Sequence, residues 1–146
     1  LKVNLTVPYL LCKRALPGML ARKYGRIINI ASIASKTGSY HGSAYASSKH
    51  GLLGLTRSLA MEVVKDGITV NAICPGTVRS VMNNKRLAYD AKRLGKTFEE
   101  IEKSIVPIGR RIEPEEIAEF AVYLASPTAA ATTGQAFVID GGAMMS

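Results

Sequence analysis

The sequence predicts an α/β fold, a doubly wound, Rossmann-like parallel sheet of three strands with flanking helices. Three observations carry that expectation. The short segments 26–31, 68–73 and 135–139 are apolar and rich in β-branched residues, as befits strands covered on both faces. Helical spacing of apolar residues fills the stretches before and between them. Strand and helix then alternate along the chain, the order that builds parallel sheets from crossover units.

The first helix is expected over 1–22, where Leu5, Tyr9, Cys12, Leu16, Met19 and Leu20 recur at helical spacing. Pro8 falls inside it, so a kink or a late helix start is expected there. Gly25 ends the segment, and Arg26-Ile27-Ile28-Asn29-Ile30-Ala31 reads as a buried strand. Residues 32–43 read as a loop rich in Ser, Gly and Thr. A long helix is expected over 44–65, with Leu52, Leu55, Leu59 and Val63 in register. After the Asp66-Gly67 turn comes the second strand, stopped by Cys74-Pro75-Gly76. The polar, basic stretch 80–111 suggests one or two short helices broken at Gly95. Pro114-Glu115-Glu116 is a helix start, since proline suits the first helical position and acids suit the positive end of the dipole. That helix buries Ile117, Phe120, Ala121 and Leu124, and the third strand follows the Thr132-Thr133-Gly134 turn.

With 146 residues, 47% of them hydrophobic and 21% charged, the chain suits one compact domain and excludes wholesale disorder and a disulfide-stapled miniprotein. Every apolar run is interrupted before about 18 residues, so neither a membrane span nor a secretory leader is expected. Cys12 and Cys74 lie too far apart for a metal or redox motif, and a reduced, cytoplasmic setting with no metal site is expected. Leu1-Lys2-Val3-Asn4 opens as though already inside a helix, and three strands make a thin sheet with an open first edge. Residues 1–146 therefore read as the C-terminal part of one longer domain whose N-terminal half is absent.

Tyr45 and Lys49 stand at i and i+4 at the start of the second helix and share one face. A free phenol titrates near ~10, and an ammonium beside it favours the phenolate and moves proton transfer toward working pH. The spacing alone is weak evidence, because many helices carry it by chance. Its setting adds weight. Ser32 ends the first strand, thirteen positions before Tyr45, and ligands of open α/β sheets bind beyond the carboxyl ends of the strands. The second strand ends at the same edge in Pro75-Gly76, where the missing side chain is expected to let a ligand approach the backbone. Asn29, Ser35, Ser39 and Ser43 are alternative polar groups, with Ser35 the fallback for Ser32.

In this order and spacing the chain resembles the C-terminal half of the short-chain dehydrogenase/reductases. The matching pieces are Asn4 in Val3-Asn4-Leu5, the run from Gly25 to Ser32, Tyr45-Ala46-Ser47-Ser48-Lys49, the run from Val70 to Gly76, Pro114-Glu115-Glu116-Ile117-Ala118, and Thr133-Gly134-Gln135 with Asp140-Gly141-Gly142. The resemblance implies NAD or NADP as cofactor, with NADP slightly preferred, and a small-molecule carbonyl or alcohol substrate, free or carrier-bound. It implies a catalytic set of Tyr45 as general acid/base, Lys49 as its electrostatic partner and ribose ligand, Ser32 polarising the carbonyl, and Asn4 holding a relay water. Pro75, Gly76 and the Val78 backbone would orient the nicotinamide, with the Ser80 hydroxyl in reach of the carboxamide or pyrophosphate. Helices 1–22 and 44–65 resemble those forming dimer interfaces in the family, usually within a homotetramer, and 80–111 corresponds to the substrate lid. The family's glycine-rich turn and its NAD/NADP-selecting residue have no counterpart in this sequence.

Within the family, Gly109-Arg110-Arg111 and Pro114–Ala118 look most like 3-oxoacyl-carrier-protein reductases, whereas 89–105 and the Gly141–Met145 tail look more like sugar or polyol dehydrogenases. A catalytically silent oligomeric scaffold is the alternative of another class. The +8 charge gathers at Lys85, Arg86, Lys92, Arg93, Lys96, Arg110 and Arg111, with no fold signature for nucleic acid, so a solvated face or an acidic substrate is the expectation. His41 is placed to touch substrate or to be an ordinary loop residue, and His50 and Cys74 are expected to be structural.

Overall fold

The computed structural model describes residues 1–145. A π-helical turn, Lys2–Thr6, runs into α1, Val7–Ala21, so the helix proper starts at Pro8's doorstep rather than kinking around it. Pro17 lies inside α1 without ending it. The strand β1, Gly25–Ile30, is followed by a single 3-10 turn, Ile33–Ser35, and then by α2, Ser43–Val63. The second strand β2, Ile68–Pro75, runs two residues further than expected, since Cys74 and Pro75 pair with β3, Ala136–Ile139. Between β2 and β3 lie α3, Val81–Leu94, α4, Phe98–Ser104, and α5, Pro114–Ala125. Gly95 divides α3 from α4 in the left-handed conformation that favours glycine.

The sheet is parallel, in the order β1-β2-β3. All eight residues of β2 are buried, as its near-continuous apolar sequence requires. Alternation decides which helices it meets. Val70, Ala72 and Cys74 join clusters with Cys12 of α1 and Leu52, Leu53 and Leu59 of α2, while Ile73 joins Ile117 and Leu124 of α5. Helices therefore cover both faces, as expected. The first strand departs from the expectation of a buried one, since only Gly25 and Asn29 are buried, residues 26–28 are half-buried and Ile30 is exposed, and the third strand is half-buried at each position.

Polar residues lock the turn before β3. Asn71, nearly inaccessible, donates from Nδ2 to the Thr132 carbonyl (2.7 Å), and its Oδ1 accepts from the Gln135 amide (3.1 Å). Thr133 Oγ1 accepts from the Val70 amide (3.0 Å). Asn29 does not face the functional edge, because its Nδ2 donates to Thr56 Oγ1 (2.9 Å) in the interior. No helix among the described residues is long and apolar enough to cross a membrane.

The start of α5 is held by charge. Arg110 forks onto Glu116, Nη1 to Oε2 at 2.7 Å and Nη2 to Oε1 at 3.0 Å, and Oε2 also accepts from the Glu113 amide (2.8 Å). The Arg110 bonds, then that amide, push the Glu116 carboxyl down to about 2 from 4.5. The folded-state value lies below the unfolded one, so this contribution is full above 4.5 and lost as pH falls toward about 2. Urea titrations across that range should show a shallower acid loss for Glu116→Gln than for wild type. At the sheet's centre, Ile73 is fully buried, and Ile73→Ala should cost about 2–5 kcal/mol in the same measurement.

Candidate active site

Parallel pairing brings the ends of β1 and β2 to one edge. The Ala31 amide donates to the Ile73 carbonyl (2.7 Å), which carries the ladder to the residue before Ser32. Ser32 is buried and caps the 3-10 turn, its Oγ accepting from the Ala34 amide (3.1 Å). Ser35, the fallback, is spent inside that turn, where its Oγ accepts from the Ser32 amide (3.1 Å). The loop then returns to α2, which presents Tyr45 in its first turn, 44% exposed.

Ser32 and Tyr45 open onto one cleft of about 450 Å³. Gly76 and Thr77 line it from the end of β2, Tyr40 and His41 from the loop, and Met82, Asn83 and Arg86 from α3. Its lining contains no carboxylate, and Arg86 is its charged side chain. His41 adopts a positive φ of 56° with its ring edge-on to Tyr40 at 4.2 Å.

Lys49 sits one turn behind Tyr45, its Nζ 5.8 Å from the centre of the phenol ring. The ammonium donates to the Ile30 carbonyl at the end of β1 (2.7 Å). Burial lowers the Lys49 pKa, partly offset by the nearby Cys74 thiol. Cys74 is itself fully buried, and burial pushes its thiol up, which suits an inert filler rather than a nucleophile. His50 hydrogen-bonds the Ala46 carbonyl one turn back, a structural contact (3.0 Å).

Other expected residues lie elsewhere. Asn4, in the π-helical turn, does not line the cleft. Its Nδ2 donates to Ser48 Oγ (3.3 Å), which donates to the Tyr45 carbonyl (2.6 Å). With Lys49 it lines a neighbouring groove of about 440 Å³ along the open edge of β1. Ser80 caps α3, its Oγ accepting from the Asn83 amide (3.2 Å). The Val78 carbonyl accepts from Asn83 Nδ2 (2.7 Å), and its side chain packs beneath α5. Pro75 is buried as the last residue of β2.

The missing side chain of Gly76 makes room for Asp140: a Cβ there would meet the Asp140 Cβ at 2.7 Å and Cα at 2.8 Å. The pairing of the Gly76 amide with the Ile139 carbonyl (2.9 Å) brings the two chains that close. The sequence alone does not single out Thr77, Met82 and Asn83, whereas Arg86 is among the basic residues expected to form a solvated face or meet an acidic substrate. The signal for Met82 and Asn83 is their place four and three residues before Arg86 in the first two turns of α3, which puts them on its face.

Strand ends, a capped serine and a Tyr-Lys pair gathered at the carboxyl edge of a parallel sheet define a Rossmann-like α/β protein with a candidate site at that edge. The family model described as enoyl-(acyl carrier protein) reductase matches residues 1–144. The chain is 39% identical to D-beta-hydroxybutyrate dehydrogenase of Rhizobium meliloti, over 96% of this chain and 56% of that protein. It is 40% identical to 2-keto-3-deoxy-L-fuconate dehydrogenase of Xanthomonas campestris, over 96% of this chain and 47% of that protein. A crystal structure of an actinorhodin polyketide ketoreductase variant with NADPH superposes with a TM-score of 0.87 at 43% identity, covering 95% of this chain and 55% of that one. The chain belongs to the short-chain dehydrogenase/reductase family, and it spans about half the length of the curated relatives it matches.

Because a Cβ at Gly76 would meet the Cβ and Cα of Asp140, which no rotamer change can move away, Gly76→Ala must displace β3 or the loop after it. Thermal melts should show a loss of about 1–3 kcal/mol, and an unchanged melt would contradict the contact.

Proposed function

We propose that the protein carrying this chain is an NAD(P)-dependent oxidoreductase that interconverts a ketone and a secondary alcohol, with 3-oxoacyl groups, free or carrier-bound, as the leading substrates. The observation that carries this reading is the opening of the Ser32 hydroxyl and the Tyr45 phenol onto one cleft, with the Lys49 ammonium one turn behind. A catalytically silent scaffold gives no reason for that convergence. The family membership and the similarity to a ketoreductase solved with NADPH add support.

The residues present fit the nicotinamide end of such a cofactor. Small residues, Ala34, Gly76 and Thr77, leave width for a flat ring, and no acidic side chain opposes the approach of its phosphates. NADP is slightly preferred over NAD, in line with the ketoreductase solved with NADPH. When bound, the cofactor supplies hydride; the chain supplies position and the proton. The Ser32 Oγ already accepts from Ala34, which leaves its O–H free to donate to a carbonyl oxygen. Tyr45 gives its phenolic proton to that same oxygen, and the Lys49 charge stabilises the phenolate left behind. One of the three Lys49 donors is engaged by Ile30, leaving the others for the cofactor ribose. Asn4 acts one step back, through Ser48, on the turn that presents Tyr45.

A sugar or sugar-acid dehydrogenase is the second reading, favoured by the similarity to the fuconate dehydrogenase and by Arg86 at the cleft, which suits an anionic substrate. The helices α3 and α4 then serve as the lid over 80–111. Homodimers or tetramers would form through α1 and α2, whose Tyr9, Leu10, Leu11 and Met61 stand exposed. Two buried free thiols suit the reducing cytoplasm.

In the full-length protein, Tyr45→Phe should lower kcat/KM for ketone reduction by about 10²–10⁴-fold while NADPH affinity, read by fluorescence, changes little. Unaltered turnover would overturn the reading. The pH profile should carry an alkaline limb below 10.5, the ordinary lysine value, because burial strips the Lys49 charge early and reduction fades as pH rises through that point.

A further inference from the structure

The helices α3 and α4 have a small core of their own, Leu87, Ala91 and Ile101 with Ile105 against it, separate from the clusters on the sheet. Their orientation over the body therefore depends on how their two ends are anchored. Those ends lie side by side. Val78 and Ile112 form a parallel bridge, with the Arg79 amide donating to the Ile112 carbonyl (2.8 Å) and the Ile112 amide to the Thr77 carbonyl (3.0 Å).

Arg111 stands in this clasp and is 1% exposed. Its Nε donates to Glu102 Oε1 on α4 (2.8 Å) and its Nη1 to Asn84 Oδ1 on α3 (2.7 Å), with the guanidinium carbon 5.5 Å from the centre of the Phe98 ring. Arg79 closes the charge balance by reaching Glu102 (3.1 Å) and Glu113 (2.8 Å). Apolar side chains would fill such a space as stably as a buried ion pair does. What a guanidinium adds is a rigid fork with fixed directions, here aimed at two different helices.

Asn84 adjoins Asn83 and precedes Arg86 by two residues, and both neighbours line the cleft along with Met82. Fixing Asn84 fixes the rotation of α3 about its axis. We propose that Arg111 is a positioning residue, whose buried fork sets the cleft wall of Met82, Asn83 and Arg86 against Ser32 and Tyr45. The proposal rests on the reading of that cleft as a ketone-reducing site.

The test uses Asn84→Ala, Arg111→Met and Arg111→Lys in the full-length protein. Deuterium exchange of the α3 amides is measured first, then KM and kcat with NADPH and a 3-oxoacyl ester. Asn84→Ala and Arg111→Met should speed exchange across α3 but not across β2, and raise KM about tenfold with kcat nearly constant, since displaced walls weaken substrate placement. Arg111→Lys, which keeps the charge but loses the fork, should recover part of the KM loss. Unchanged exchange, or a fall in kcat at constant KM, overturns the proposal. Should Arg111→Met fail to fold, Asn84→Ala carries the same outcomes, because it cuts one arm and leaves the ion pair with Glu102 intact. A wild-type protein that reduces no ketone overturns the functional reading instead; exchange alone then decides the hold of Arg111 on α3, faster exchange supporting it and unchanged exchange overturning it.

Discussion

The register of β1 on β2 is the constraint on which the other features hang. Gly25 faces Ile68 and Ile30 faces Ile73, so two strands reached by very different connections end at the same level. That level puts Ser32 beside the residues after Pro75, and it lets the Ile30 carbonyl meet the Lys49 ammonium arriving on α2. A slip by one residue would turn Val70, Ala72 and Cys74 away from α2 and expose the apolar set to the wrong layer. Burial of β2 on both faces thus fixes the geometry of the polar groups at its end.

Two hollows flank that register, and their chemistry differs. The cleft beyond the strand ends holds hydroxyls and a phenol, whereas the groove along β1 is walled by Val3, Leu11, Cys12, Ile28 and Leu52. Lys49 belongs to the groove by lining and to the cleft by charge, since it stands beneath the Tyr45 ring. The half-buried lysine is thereby kept near the phenol without lining the cleft itself. Asn4, bonded to Ser48, steadies the same turn from the far side.

Much of this was legible in the sequence because it follows from periodicity. Three apolar runs gave the strands, and Leu52, Leu59 and Val63 gave the buried face of α2. That Ser32 and Tyr45 line one cleft was legible because strand ends and helix starts meet at one edge of an open sheet. What stayed hidden depends on contacts far apart in the chain. The packing of Asp140 against Gly76, more than sixty residues before it, is one such contact. The cap that the Ser80 hydroxyl forms on α3 stayed hidden too, though it is a local contact. Arg111 disappears into a run of surface-like charges, although its side chain is among the most buried of all, because its partners Asn84 and Glu102 lie on other helices. Half-burial of β1 and β3 was likewise invisible, since each has the composition of a covered strand.

The central claim is that the cleft of Ser32, Tyr45 and Gly76, and not the apolar groove along β1, receives the reacting groups. A crystal structure of the full-length protein with NADPH and a non-reducible alcohol tests it most directly. The account predicts the nicotinamide ring against Gly76 and Thr77, with the alcohol oxygen in hydrogen-bond reach of Ser32 Oγ and the Tyr45 phenol. An alcohol bound along β1 among Leu11, Ile28 and Leu52, or one that leaves Ser32 and Tyr45 untouched, would contradict it.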